Sequence, residues 1–228
     1  MRREPASSEP ANLISPREVA AILAVCSSES TAGRRNHAML TVMARAGLRL
    51  DEALALRPDD FDQERGAISI KGDRARLVGL DAVAFRSVAR WMAARKEWGI
   101  SDTSGAPAFC TLKGEPLEPA YIRQLLPRLA KKAGIKKRVH AMAFRNALAA
   151  QLAAEGLPIG AIQAVLGHSS PATTSRLVVQ VTRVAPEDVV SMMRNRSWQA
   201  GESRDVVQAN APDPTVQPSG EMSKDVGA

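Results

Sequence analysis

Tyrosine occurs once in this 228-residue chain, at Tyr121, and aromatic side chains together make up only 4% of it. A core built from such a sequence is aliphatic. Valine and isoleucine runs are few, whereas alanine and leucine recur throughout, which favours helices over a large sheet. Cysteine is almost as scarce: Cys26 and Cys110 are too widely spaced for a metal knuckle and too few for a disulfide framework. Both read as buried thiols of a reduced, cytoplasmic protein. No apolar run approaches the roughly 18 residues of a membrane span, and residues 1–16 carry no signal-peptide core. Membrane proteins, disulfide scaffolds and zinc modules are thus disfavoured, and neither a metal nor a cofactor is expected.

What the chain has in excess is positive charge, unevenly placed. It carries 31 Lys and Arg against 24 Asp and Glu, a net of +7. Residues 199–228 hold five acids and two bases, which leaves residues 1–198 at +10. Between Tyr121 and Arg145 stand Arg123, Arg128, Lys131, Lys132, Lys136, Lys137, Arg138 and Arg145, with no acid at all. A polyanion is the natural partner of such a stretch, although charge alone does not choose between nucleic acid and an anionic membrane surface.

Ser15-Pro16-Arg17-Glu18 reads as a helix start, with Ser15 as N-cap, Pro16 at the first position and Glu18 closing a capping box. A second helix is expected over Arg34–Ala46, with Met39, Val42, Met43 and Ala46 inward and Gly47 as its stop. A short third spans Leu50–Leu56. Gly66–Ile70 and Leu77–Leu80 flank Lys71-Gly72-Asp73-Arg74 and predict a β-hairpin, with Pro107–Cys110 as a third strand. Further helices fit Ala82–Trp98, Glu118–Ala133, His140–Glu155, Pro158–Leu166, Pro171–Val181 and Pro186–Asn195, with Gly134, Gly156 and Gly167 as stops. The expected organisation is a flexible segment 1–12, a domain over 13–198 and a disordered acidic tail over 199–228.

Three ordered segments carry specific chemistry. The first runs from Ala46-Gly47-Leu48-Arg49-Leu50-Asp51-Glu52 to Asp60-Phe61-Asp62. The second is Ile70-Lys71-Gly72-Asp73-Arg74-Ala75-Arg76-Leu77-Val78. The third is Phe144-Arg145 followed by Leu166-Gly167-His168-Ser169-Ser170 and Thr173-Thr174. Together they resemble the first-arginine box, the lysine hairpin and the second-arginine and LGH boxes of the tyrosine recombinase (phage integrase) catalytic domain. The resemblance implies a mainly α domain with a small antiparallel β-sheet, acting on double-stranded DNA. It implies that Arg49 and Arg145 grip the phosphate, that Lys71 is general acid for the leaving 5′-oxygen, and that His168 hydrogen-bonds the phosphate. Two guanidinium forks suit a metal-free phosphoryl transfer, whose developing charge no cation would neutralise. Arg74, Arg76 and the basic stretch from Arg123 to Arg138 are the expected DNA contacts. Read singly, Arg49 pairs as readily with Glu52, Lys71 is an ordinary hairpin-tip lysine and His168 a capping residue. The co-ordered set is what outweighs those readings.

Two positions depart from the family pattern. Three residues before the second arginine, where the family places a histidine, stands Met142, whose thioether does no acid–base work. Nine residues after the LGH histidine, at the position of the tyrosine nucleophile, stands Leu177, which has no nucleophilic atom. Tyr121 falls in a segment resembling a helix start between the boxes and reads as a packing or phosphate-contacting residue. Only about a dozen residues precede the expected domain at Leu13, as in the short, catalytic-domain-only members. The expected function is DNA binding linked to recombination and integration, deficient in strand cleavage when alone. The alternatives are an active recombinase with an unrecognised or partner-supplied nucleophile, and a helical module without DNA affinity. Family likeness also suggests a homo-oligomer on DNA, passing Pro186–Asn195 to a neighbour, or a hetero-assembly with an active recombinase.

Overall fold

The computed structural model describes residues 13–26, 28–100 and 105–182, all within one compact unit. The expected flexible start, the helix at Pro186–Asn195 and the acidic tail lie outside the described residues.

The first helix, α1 (Pro16–Ala24), begins where its capping chemistry places it. The Ser15 N–H donates to Glu18 Oε2 at 2.7 Å, and the Glu18 N–H donates to Ser15 Oγ at 3.2 Å. Helix α2 (Thr31–Ala46) starts three residues before the apolar periodicity does, because Ser30 Oγ accepts from the Gly33 N–H. It is the central helix, packing on α1, on the short α3 (Leu50–Ala55), on α4 (Ala82–Glu97) and on α6 (Ala141–Ala154). Its Met39, Leu40, Val42, Met43 and Ala46 are fully buried, an aliphatic core as the composition requires. Helix α5 (Pro119–Lys132) covers α1, α3 and α6, while α7 (Ile159–Leu166) and α8 (Pro171–Thr182) pack on α6.

The sheet is three-stranded and antiparallel, ordered β1 (Phe61–Asp62), β2 (Ala67–Ile70), β3 (Arg76–Gly79). In the hairpin Ile68 faces Val78 and Ile70 faces Arg76. The third strand is therefore not Pro107–Cys110, as the sequence suggested. That segment is buried, but its polar groups go elsewhere. The Ala108 N–H donates to the Leu56 carbonyl, Trp91 Nε1 donates to the Ala108 carbonyl at 2.8 Å, and Arg35 Nη1 to the Cys110 carbonyl at 3.0 Å. With those carbonyls taken by side chains, only a single bridge between Cys110 and Pro116 remains. Among the described residues no helix is long and apolar enough to cross a membrane.

Candidate functional site

The α2 helix ends at Gly47, whose φ of +62° is left-handed and whose absent side chain matters. A Cβ there would lie 2.8 Å from Leu148 and 2.9 Å from Leu166. The turn sends Leu48 into the core and leaves Arg49 at the N-cap of α3. Gly167 plays the same part at the end of α7, with φ +62°, and delivers His168. A Cβ on Gly167 would collide with the Arg76 side chain at 2.8–2.9 Å. Two helix C-termini, each with carbonyls left over from its last turn, therefore converge.

Arg145 fills the space between them. Its Nη1 donates to the Gly47 carbonyl at 2.7 Å and its Nη2 to the Leu166 carbonyl. The negative ends of two helix dipoles thus meet one cation. Arg145 is 0% exposed, so in this conformation it offers no surface to a ligand. This differs from the open phosphate fork expected of it. Burial, and then the neighbouring Arg49 charge, bring its pKa down to about 10, still protonated at neutral pH.

Glu52 organises the other side. Its carboxylate accepts a two-armed bond from Arg76, Nη1 to Oε1 at 2.8 Å and Nη2 to Oε2 at 3.0 Å, and also accepts from the Arg49 N–H at 2.9 Å. Burial alone would raise its pKa. The Arg76 and Arg49 hydrogen bonds, with the charges of Arg76 and Arg145, hold it below the usual range. Arg76 Nε also donates to the Val165 carbonyl at 3.0 Å, so this side chain is committed to the interior rather than free for DNA. The expected Arg49–Glu52 pairing runs through the Arg49 backbone, and Arg49 Nε is buried with no hydrogen-bond partner.

His168 closes the cluster. Its N–H donates to the Gln163 carbonyl, its own carbonyl accepts from Gln163 Nε2, and its Nδ1 lies 2.9 Å from Thr174 Oγ1. Burial, then repulsion by Arg145, Arg49 and Arg76, pushes its pKa down to about 4. The imidazole is neutral at physiological pH. Linkage gives this a measurable sign. The unfolded chain, with an ordinary value near 6.5, binds a proton that native His168 refuses, so stability is full above about 6.5 and falls as pH drops towards 4. His37, also lowered by burial and by Arg90, acts in the same direction. Glu52, lowered from 4.5, adds its loss only below that value. Urea midpoints are expected to fall between pH 6.5 and 4.5, and less so in His168→Gln. An equal fall in that variant would contradict the assignment.

The structure thus brings Arg49, Arg145 and His168 together, with Arg74 and Arg76 close enough to act on Arg145. The charges of Arg49, Arg74 and Arg76 all act on Arg145, and Glu52 is the carboxylate that offsets them. Lys71 is placed differently. It leaves the hairpin 65% exposed, and its Nζ lies 2.5 Å from Asp60 Oδ1. That contact is an ion pair by distance without hydrogen-bond alignment, since Asp60 Oδ1 is otherwise unpartnered. Met142 stands 43% exposed in the first turn of α6, and His140 is the N-cap of that helix. Leu177 packs in a small apolar group with Ala149, Ile162 and Leu166, one turn beyond Thr174. The Tyr121 hydroxyl belongs to another network: it accepts from Arg35 Nη2 at 2.7 Å and from Asn36 Nδ2 at 2.9 Å, and donates to Asn36 Oδ1.

In the basic stretch, Arg123, Arg128, Lys131, Lys136 and Arg138 are exposed. Lys132 donates to the Val25 carbonyl, and Lys137 to the Leu13 carbonyl and Glu18. Lys131, Lys136, Lys137 and Arg138 line one shallow groove with Pro127, and Arg123 and Arg138 line another beside Leu50, the neighbour of Arg49. Sequence reasoning missed two contributors, the Glu52–Arg76 pair and Thr174. Both lay inside the quoted boxes, but the Glu52–Arg76 pairing across 24 residues leaves no local signal, and the His168–Thr174 contact depends on how the chain turns between α7 and α8. Among the described residues no three His, Cys, Asp or Glu side chains cluster as metal ligands.

Helices around a three-stranded edge sheet, with this cluster where two helix C-termini meet, form the fold of tyrosine recombinase catalytic domains. A crystal structure of the XerA recombinase matches with a TM-score of 0.69 and 25% identity, over 85% of this chain and 66% of that one. The XerH site-specific recombinase in a post-cleavage complex matches with a TM-score of 0.68 and 24% identity, over 84% and 56%. The chain belongs to the phage integrase family, whose sequence pattern covers residues 12–182. It is 32% identical over 170 residues to tyrosine recombinase XerC of Myxococcus xanthus, covering 72% of this chain and 56% of that protein. Against tyrosine recombinase XerC of Xylella fastidiosa (strain M23) the figures are 30% over 151 residues, 64% and 49%. The chain spans about half the length of these curated relatives.

Proposed function

We propose that this chain is a duplex-DNA-binding domain that seats one backbone phosphate at Arg49 and His168, and that it does not cleave the strand unaided. The observation that carries the reading is Arg49. Its Nε is buried without an acceptor, its charge acts on Arg145 together with those of Arg74 and Arg76, and the Glu52 carboxylate is already occupied by Arg76. Such a concentration of unmet positive charge calls for an anion, and a phosphate oxygen matches a guanidinium in geometry. Arg145 assists from inside, through its charge and by fixing the turns that present Arg49 and His168. Arg74, Arg123, Arg128, Lys131, Lys136 and Arg138 extend the contact along the backbone. Lys71 joins them once it releases Asp60. Lys132 and Lys137 contribute less, being tied to the start of the domain. The relatives' name, tyrosine recombinase, supports a setting in site-specific recombination. Leu177, at the position of the nucleophile, argues that any cleavage uses a tyrosine from a partner recombinase.

Binding of short duplexes is expected to weaken steeply between about 50 and 200 mM salt, since each phosphate neutralised adds about 0.9 to the log–log slope. Arg49→Ala should weaken all sequences alike and lower that slope by about one. Fluorescence anisotropy over a salt series reads both. Affinity that ignores salt, or is unchanged in Arg49→Ala, would overturn the proposal.

A further inference from the structure

We propose that Thr174 is a positioning residue for His168: its hydroxyl donates to Nδ1 and so fixes the neutral imidazole with its proton on Nε2, as a hydrogen-bond donor for an anion. The residues involved are held before any ligand arrives. Gln163 grips the His168 backbone from both sides, accepting from its N–H at 3.2 Å and donating to its carbonyl at 3.0 Å. Only the ring then needs a fixed orientation. Thr174, in the first turn of α8, is 0% exposed, and its Oγ1 lies 2.9 Å from His168 Nδ1.

Distance alone allows the proton to sit on either atom, but the surroundings do not. If Nδ1–H donated to Oγ1, the threonine hydroxyl would need a second acceptor, and the described residues give it none. A buried donor left unmet is the costlier arrangement. If Oγ1–H donates to Nδ1, the hydroxyl donor is satisfied and the imidazole proton must be on Nε2. A doubly protonated ring would face Arg145, Arg49 and Arg76 and leave the threonine proton without an acceptor. Nε2 takes no partner among the described residues. The cluster therefore holds one neutral donor among its cations, aimed by a hydroxyl on a neighbouring helix. On the reading that a phosphate sits there, this donor adds a directional bond to the cluster's charge.

Nitrogen-15 NMR of the free protein at neutral pH tests the first step without DNA. Wild type is expected to show a pyrrole-type Nε2 and a pyridine-type Nδ1 for His168. Thr174→Ser, which keeps the hydroxyl, should preserve that pattern, while the isosteric Thr174→Val should give a mixture of tautomers or an averaged ring. A wild-type ring protonated on Nδ1, or a pattern identical in Thr174→Val, overturns the inference. Duplex affinity is then expected to fall roughly fivefold in Thr174→Val and to return in Thr174→Ser, the size of one lost hydrogen bond. An intact affinity in Thr174→Val would refute the positioning role. Failure of the phosphate reading itself shows separately, as unchanged binding in Arg49→Ala.

Discussion

Wild-type protein incubated with suicide duplexes is expected to give no covalent protein–DNA adduct, and Leu177→Tyr with Met142→His is expected to give the most of any variant. No side chain with a nucleophilic atom stands at position 177. Leu177 is packed against Ala149, Ile162 and Leu166, one helical turn past the threonine that holds His168, so a tyrosine placed there would enter the neighbourhood of the arginine cluster. Its phenolic oxygen would form the bond to phosphorus while the 5′-oxygen leaves and takes a proton, with Lys71 as the donor implied by family likeness. Leu177→Tyr alone should restore little. Met142 offers no proton acceptor, and the loss of such a group typically costs about 10²- to 10⁴-fold in rate. The larger ring in a packed site also costs roughly 1–3 kcal/mol, so thermal melts of each variant are needed beside the gel assay. The two changes act on one transition state and need not add. Adduct formation by the wild-type chain would displace the proposed reading in favour of an unrecognised nucleophile. Tyr121→Phe would be the next variant to examine in that event, since Tyr121 is the one tyrosine of the chain, even though its hydroxyl is bonded to Arg35 and Asn36.

Arg145→Met should produce the largest loss of stability of any single change in the cluster, about 3–5 kcal/mol by urea unfolding. Methionine fills much of the same space but donates nothing. The Gly47 and Leu166 carbonyls would then be buried at two helix ends without partners, and a charge-assisted bond to each would be gone. Against a total stability of about 5–15 kcal/mol, that is a large share. Arg145→Lys should recover only part of it, because one ammonium cannot span both carbonyls as a planar fork does. A Met variant with an unchanged urea midpoint and only weaker DNA binding would show that Arg145 serves the ligand rather than the fold.

Local chemistry made much of this protein legible before its structure. The capping box at Ser15, the stop at Gly47, the Lys71 hairpin, the helix carrying Arg145 and the helix that ends just before His168 each depend on neighbours a few residues away, and each lies within a few residues of its expected place. The boxes also carried the family, because residue type and order survive without coordinates. The third strand did not follow the same rule. Whether Phe61–Asp62 or Pro107–Cys110 pairs with β2 depends on which backbone groups other parts of the chain have already claimed, here the Trp91 and Arg35 side chains.

The site divides along the same line. From the sequence alone came the expectation that Arg49, Lys71, Arg145 and His168 act as one set, and the fact that positions 142 and 177 hold neither a proton acceptor nor a nucleophile. Only the tertiary structure decided that Arg145 is enclosed between two helix ends, that Arg76 is spent on Glu52, that Lys71 rests on Asp60, and that Thr174 holds the His168 ring. Those are contacts that side chains make with groups up to about a hundred residues away, such as Arg145 with the Gly47 carbonyl, separated by 98 positions. The reach of a guanidinium or a hydroxyl is set in space, where burial fixes which donor meets which acceptor, and one-dimensional order does not contain that choice.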